Sequence, residues 1–134
     1  VRVYGDQVVP IDMFQIPAVI VSQDIKSLVY SKLSSQADVL ATALDLIGVD
    51  LSYPILGNSI FKDNKKEINL MLFDETYAYR KSNKVAILIP NMDIKTYLYE
   101  NKKLIEVEED LTLEQEALAL IYILDDMYKN RSFK

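Results

Sequence analysis

Apolar and polar positions along the chain first predict a buried strand and then a helix. The run from Phe14 to Val21 is nearly continuously apolar in its second half, which is typical of a strand buried on both faces of a parallel or mixed sheet. Pro17 is tolerated near the start of such a strand. A helix is predicted from the N-cap Ser35 to Ile47, with Gly48 suited to the left-handed position after its end. Its apolar positions (39, 40, 43, 44 and 47) form a broad stripe, so we expect packing on more than one side.

The second half of the chain alternates short apolar segments with polar turns. The strand-like segments are Ile68–Phe73, Thr76–Tyr79, Val85–Ile89, Lys95–Tyr99 and Leu104–Val107, with a shorter β-prone stretch at Val1–Tyr4. Their spacing predicts an antiparallel meander of four or five strands. A final helix is predicted from the cap Thr112, with Gln115 in the reciprocal position. Its apolar face (Leu113, Ala117, Leu120, Ile121, Leu124 and Tyr128) would lie on the meander.

These elements predict a fold between α/β and α+β, in which a sheet strand and a helix precede a meander and a C-terminal helix. A change in composition near Ser59–Lys66 marks a predicted boundary between residues 1–61 and residues 62–134. With 134 residues and 50% hydrophobic content, the chain is one domain or a piece of a larger one. The first residue is Val1, and no signal peptide is recognisable, so we expect a truncated or processed product.

Composition removes several classes of function. The chain has no Cys and no His, so it lacks thiolate chemistry, the usual general base near neutral pH and the commonest metal ligand. The net charge is −5, and no basic stripe is present, which argues against a nucleic-acid partner. The longest apolar runs are far shorter than the roughly 20 residues that a membrane-spanning helix needs.

Three groups of side chains could carry chemistry. Asp38 and Thr42 share a helix face, either as a reactive pair or as a helix cap and a hydroxyl bonded to its own turn, and the second interpretation is favoured because no base or metal cluster accompanies them. Acidic residues at 106–110, at 125–126 and at 74–75 lack the pattern of a calcium loop. Four tyrosines could line one face of adjacent strands as a binding platform, although ordinary strand packing is favoured: Tyr77, Tyr79, Tyr97 and Tyr99.

The first half of the chain also resembles a known family. The residues that carry the resemblance are Ile16 and Pro17 in the strand, Ser35, Gln36, Asp38, Thr42, Asp45 and Gly48 in the helix, and Pro54, Gly57 and Ser59 in the turn. In this order they are similar to the C-terminal part of the bacterial sulfatases and phosphoglycerol transferases of the alkaline phosphatase superfamily, which include lipoteichoic-acid-synthase-like proteins. Ala41 departs from a proline common at that place in the family.

The resemblance implies a C-terminal segment of an enzyme that transfers phosphoglycerol or phosphoethanolamine, or that hydrolyses sulfate or phosphate esters. In the family, a threonine nucleophile and a divalent metal such as Mn or Mg do the chemistry, and their ligands precede the region that this chain matches. No catalytic or metal-binding residue is therefore expected here, and the motif residues are expected to be structural. By position alone, Arg2 and Gln15 would lie near the rim of the active site.

The same resemblance implies the surroundings of the chain. Its partner would be the upstream catalytic part of a membrane-anchored enzyme at the outer face of the bacterial cytoplasmic membrane or in the periplasm. Separated from that part, the Ile16–Val21 segment would expose apolar surface and could drive self-association. The alternative hypothesis is a self-contained α+β module that binds a protein or a ligand. The resemblance implies that the parent protein is an enzyme of the sulfatase or phosphoglycerol-transferase type, whereas this segment alone is expected not to be one.

Overall fold

The computed structural model describes residues 9–49, 56–63 and 65–131, and these residues divide into two compact units. One unit combines the residues up to Gln15 with Asn69–Lys134, and the other spans Ile16–Ile68. The predicted Val1–Tyr4 strand, Arg2 and Pro54 lie outside the described residues. The boundary predicted from composition, between residues 61 and 62, stays a prediction.

The unit that contains the C-terminal half is built on a five-stranded antiparallel meander. Its strands are β1 (Ile68–Phe73), β2 (Thr76–Lys81), β3 (Lys84–Leu88), β4 (Lys95–Glu100) and β5 (Lys103–Glu106), adjacent in chain order. Three of the four connections are two-residue turns, which return the chain antiparallel beside the strand it left, and the β3–β4 connection has six residues. The predicted meander is confirmed.

The two faces of the meander are covered by different parts of the chain. Apolar residues of one face form a core with the segment that holds a 3₁₀ helix at Ile11–Phe14; its buried members are Val9, Ile11, Met71, Ala78, Val85, Ile87 and Tyr97. Helix α2 (Leu111–Lys129) packs on β3 and β4, and Glu114 accepts a hydrogen bond of 3.0 Å from the buried Thr96 hydroxyl. The sheet therefore has a covered face on each side.

Helix α2 confirms the predicted C-terminal helix but differs from the prediction in its N-cap and in the last residue of its packing face. Its N-cap is Asp110, whose carboxylate accepts the Leu113 N–H at 3.1 Å, and not Thr112. Asp110 is also held by Lys84 of β3 at 2.6 Å, so a tertiary contact fixes the cap two residues earlier than the local pattern suggested. Near the other end, Tyr128 is 75% exposed and does not join the face that packs on the sheet.

In the other unit, helix α1 (Gln36–Leu46) begins at the predicted cap. The Ser35 side chain accepts the Asp38 N–H, the Asp38 carboxylate accepts the Ser35 N–H, and Gly48 has the left-handed φ of 73°. The expected packing of the apolar stripe was wrong. Leu40 and Ile47 are exposed, and the buried side chains of the helix are those of Asp38, Ala41 and Thr42.

The predicted strand at Phe14–Val21 was also wrong for this structure. Phe14 ends the 3₁₀ helix and packs edge-on against Phe73, and residues 15–21 have no strand pairing. Val19 and Val21 are 85% and 90% exposed. The apolar pattern is suited to a strand with neighbours on both sides, but the described residues provide no strand beside it. None of the described helices combines the length and the apolar character needed to cross a bilayer.

Candidate functional site

The motif residues of α1 meet the loop 57–62 and Lys65 at one junction, which we call the helix–loop junction. Asp38 stands at its centre and is 3% exposed. Its Oδ2 accepts the Ser35 N–H at 2.8 Å, and its Oδ1 accepts the Asn58 N–H, 20 residues later, at 2.8 Å. Because both carboxylate oxygens are engaged, one side chain caps the helix and holds the loop against it.

Lys65 completes the environment of Asp38 and was not identified from the sequence. Its Nζ lies 3.1 Å from Asp38 Oδ2, and the two side chains are only 3% and 4% exposed. The same ammonium donates to the Leu33 carbonyl at 2.8 Å and lies 5.6 Å from the centre of the Tyr30 ring. A charge this deeply buried needs such partners, because water no longer solvates it.

Thr42 makes the second link between α1 and the loop. Its hydroxyl donates to the Asp38 carbonyl at 2.6 Å and accepts the Ile60 N–H at 3.1 Å. The first bond is the predicted contact of a helical threonine with its own preceding turn. With both of these bonds made and no exposed surface, the hydroxyl cannot reach an external substrate in this conformation.

Asp45 lies one turn further along α1 and makes the third link. A hydrogen bond from the Ser59 hydroxyl, aided by Lys62, holds the pKa of the Asp45 carboxyl below its ordinary value. The Lys62 Nζ lies 3.4 Å from Asp45 Oδ1, in a pair that is open to solvent. Ser59 is itself buried and accepts the Phe61 N–H at 3.3 Å.

Gly57 allows the loop to approach the helix closely. A Cβ atom at this position would lie 2.1 Å from the Ala37 carbonyl oxygen and 2.7 Å from the Asp38 nitrogen. Since side chains do not tolerate such distances, the residue must be glycine for the loop to pack here. Asp38, Thr42, Asp45, Gly57 and Ser59 are thus brought together as parts of one backbone clamp.

Other residues named from the sequence lie apart from this junction. Gln15 and Pro17 are exposed, and Gln36 is an exposed residue of the first turn of α1. Ser35 and Gly48 mark the two ends of the helix. Arg2 and Pro54 fall outside the described residues, so the predicted rim position of Arg2 and the motif role of Pro54 stay predictions.

The tyrosines do not form a common platform. The register pairs Tyr79 with Ala86 and Ala86 with Thr96, whereas it pairs Tyr97 with Val85. Because directly paired residues point to the same side of a sheet, Tyr77 and Tyr79 lie on the face of α2, and Tyr97 and Tyr99 lie on the opposite face.

The environments of Tyr79, Tyr97 and Tyr99 agree with packing. Burial, together with the nearby Glu116 carboxylate, raises the pKa of Tyr79 to about 12; its hydroxyl donates to Glu116 Oε2 at 3.1 Å. Burial and a hydrogen bond to Asp12 raise the pKa of Tyr99 to about 12. Burial also raises the pKa of Tyr97. None of these phenols is activated as a base or a nucleophile, because activation would need a lowered pKa.

In the two longer acidic runs, at 106–110 and at 125–126, some of the carboxylates form ion pairs. Glu106 pairs with Lys95 at 2.7 Å, and Asp125 pairs with Lys129 at 2.5 Å along α2. Across residues 9–49, 56–63 and 65–131, no three carboxylates converge as metal ligands. Together with a sequence that has neither His nor Cys, the described residues do not fit a divalent metal centre, and we derive no metal-dependent step from them.

Comparison with known proteins places these features in a superfamily. No protein-family model matches the chain. Among solved structures, it is similar to the crystal structure of a protein in the alkaline phosphatase superfamily from Vibrio parahaemolyticus, with a TM-score of 0.89 and 27% sequence identity over 99% of this chain. The chain has an alkaline-phosphatase-like fold. It spans 34% of the length of the Vibrio protein. The similarity therefore supports the alkaline phosphatase superfamily for a chain that matches only a fragment of such a protein.

Proposed function

We propose that this chain is the non-catalytic C-terminal part of a metal-dependent enzyme of the sulfatase and phosphoglycerol-transferase type, and that it supports the active site of that enzyme. The observation that carries the proposal is the similarity of nearly the whole chain to about a third of an alkaline phosphatase superfamily protein. The resemblance of the α1 motif to that branch of the superfamily supplies the narrower assignment.

The helix–loop junction supports a scaffolding role. Asp38 and Thr42 are the motif residues most suited to chemistry. The Asp38 carboxylate accepts two backbone N–H groups and pairs with Lys65. The Thr42 hydroxyl is hydrogen-bonded to the backbone on both of its sides. Groups arranged in this way hold a loop in one conformation. A scaffold for a catalytic centre needs this property, because reacting groups must be held to within a fraction of an ångström.

Exposed apolar side chains on the unit of Ile16–Ile68 support an upstream catalytic partner. Leu40 and Ile47 of α1 are 56% and 71% exposed, and Val19 and Val21 of the preceding segment are more so. Apolar patches on soluble proteins commonly mark surfaces that another protein segment covers. We assign this surface to the sheet of the catalytic part. When it is uncovered, the same surface is a site for self-association.

The metal, the reaction and the location follow from the same proposal. A divalent ion such as Mn or Mg would be held by residues that precede the matched region, and it would neutralise charge on a phosphate or sulfate ester during attack by a threonine. The complete enzyme would be membrane-anchored, with this segment at the outer face of the cytoplasmic membrane or in the periplasm.

Two measurements test the proposal. The purified 134-residue chain, supplied with Mn²⁺ or Mg²⁺, is expected to hydrolyse neither bis-p-nitrophenyl phosphate nor p-nitrophenyl sulfate above the protein-free rate. Metal-dependent turnover by this chain would overturn its non-catalytic assignment. Sequencing the gene upstream of Val1 is expected to reveal a threonine-centred metal motif, an Asp-His pair and membrane spans. An in-frame start at Val1 would instead favour the self-contained binding module.

A further inference from the structure

Lys65 joins two further stretches of the chain at one buried point. Its side chain is 3% exposed, and its Nζ lies 3.1 Å from Asp38 Oδ2 in the first turn of α1. The same ammonium donates to the Leu33 carbonyl at 2.8 Å and lies 5.6 Å from the centre of the Tyr30 ring. A single charged group that follows the loop 57–62 therefore contacts both α1 and the segment before it.

The contacts around this point close within the unit that contains α1. A second ion pair, between Lys32 and Glu67 at 3.6 Å, ties the segment before α1 to the residues after Lys65. Among the described residues, the hydrogen bonds and ion pairs made by the side chains of Asp38, Thr42 and Lys65 all end within this unit. The polar groups of the helix–loop junction are therefore satisfied by their own unit.

Burial of the ion pair disfavours any partial separation of the junction. If the loop moved away with Lys65 while Asp38 stayed buried, the carboxylate would lose its compensating charge inside the protein. A state with one buried charge left alone is disfavoured by roughly 100-fold or more in population. When both groups reach water together, each charge is solvated again and this penalty does not arise. Complete opening is therefore favoured over partial opening.

We infer that the Asp38–Lys65 pair is a conformational latch, around which the helix–loop junction and residues 30–35 open and close as one cooperative unit while the meander stays closed. In the closed state the latch holds α1 in the orientation that exposes Leu40 and Ile47. In the open state it releases α1 and the loop together. The latch concerns this chain alone and does not depend on the proposed catalytic partner.

The same substitution at two buried threonines tests the limits of the cooperative unit. Thr42 and Thr96 are 0% and 1% exposed, and the hydroxyl of each accepts a backbone N–H at 3.1 Å, one in the junction and one in the unit of the meander. Thr42→Val should accelerate hydrogen exchange of the Asn58 amide roughly tenfold, although the acceptor of that amide is untouched. It should leave the Tyr99 amide, which donates to the Asn83 carbonyl in the meander, unchanged.

Thr96→Val is the matched control and should have the reverse effect. It should accelerate exchange of the Tyr99 amide and leave the Asn58 amide unchanged, because the two amides belong to different units. If either substitution accelerated both amides by the same factor, the chain would open as a whole, and the latch would be refuted.

Lys65→Met tests whether the unit opens around the ion pair. The Asn58 and Ile60 amides should accelerate by a common factor of roughly 100-fold, although the acceptor of Ile60 is Thr42, which Lys65 does not contact. Acceleration at Asn58 alone would reveal a local change at Asp38 and would overturn the cooperative unit.

Chemical labelling tests the latch in the unaltered chain, so that the result does not depend on the folding of a variant. The chain is treated briefly with the N-hydroxysuccinimide ester of acetic acid, and the modified lysines are quantified by mass spectrometry of peptides. Lys65 should react about tenfold or more slowly than Lys62, whose side chain is 62% exposed, and the two should react alike in denaturing urea. Equal rates under native conditions would mean that the latch is not closed and would refute the inference.

Discussion

Replacing Lys65 with methionine would test whether the buried ion pair holds the helix–loop junction together. Lys65→Met keeps most of the aliphatic stem beside Tyr30 but removes the ammonium that contacts Asp38 at 3.1 Å. Asp38 would remain buried, with only the Ser35 and Asn58 amides as donors. The variant therefore isolates the loss of charge compensation from the loss of packing.

The expected cost follows from the burial of both partners. Removing one member of a buried pair costs about 3–5 kcal/mol, because the other charge is left without compensation. The two amide donors that Asp38 retains place the expectation near the lower end, at about 3 kcal/mol. Since every 1.4 kcal/mol is a factor of ten, the equilibrium for opening the junction should shift by roughly 100-fold.

Hydrogen exchange at the Asn58 amide is the direct assay, because that amide donates to Asp38 in the closed junction. In Lys65→Met, its exchange should accelerate by roughly 100-fold under native conditions. Lys62→Met is the matched control, because Lys62 lies in the same loop and pairs with Asp45 at 3.4 Å, but its side chain is 62% exposed. It should change exchange far less.

The result that would refute this reasoning is specific. If Lys65→Met and Lys62→Met accelerated exchange of the Asn58 amide equally, the buried pair would contribute no more than a surface pair. A double variant, Asp38→Asn with Lys65→Met, separates the remaining possibilities. If the pair acts as described, adding Lys65→Met to Asp38→Asn should cost much less than Lys65→Met alone.

Three further predictions concern backbone approach, a buried hydroxyl and a tyrosine. Gly57→Ala should lower the free energy of unfolding by about 3 kcal/mol or more, because its Cβ would clash with the helix backbone. Gly48→Ala, with open space but φ of 73°, should cost only about 1–2 kcal/mol, so equal urea midpoints for the two variants would contradict the clash. Thr42→Val should leave a buried loop amide without its acceptor and cost about 1–3 kcal/mol in urea unfolding; no change would show that the bond contributes little. By ¹³C NMR, Tyr79 should titrate near pH 12, and Glu116→Gln should lower that midpoint while leaving it above 10, because burial is the larger cause; a midpoint near 10 in the parent chain would contradict this.

The raised tyrosine pKa has a defined consequence for stability. The phenol of Tyr79 ionises near pH 10 in the unfolded chain and near 12 in the folded one, so the folded state holds its proton more tightly. Its contribution to stability is therefore fully present below pH 10 and is lost as the pH rises from 10 to 12. Between pH 10 and pH 12, the free energy of unfolding of a Tyr79→Phe variant should therefore fall less, relative to its value at neutral pH, than that of the parent chain. An unchanged alkaline profile would contradict this assignment.

The sequence by itself determined the local elements. Alternation of apolar and polar residues between short turns predicted the meander, because side chains on a strand alternate between its faces. The box formed by Ser35 and Asp38 and the left-handed Gly48 were readable for the same reason, since each depends on residues within four positions along the chain. The family motif was readable as an ordered set of residues, and the alkaline-phosphatase-like fold agrees with it.

Only the tertiary structure decided which surfaces these elements bury. It turned Asp38 and Thr42 inward and left Leu40 and Ile47 outward, because the bonds of the loop to buried polar groups fix the orientation of α1 more strongly than its apolar stripe does. Strand register, which a single strand cannot reveal, separated the tyrosine pairs onto opposite faces. Lys65 meets Asp38 at a separation of 27 residues in the sequence (65 − 38), and no local pattern encodes a contact between residues so far apart.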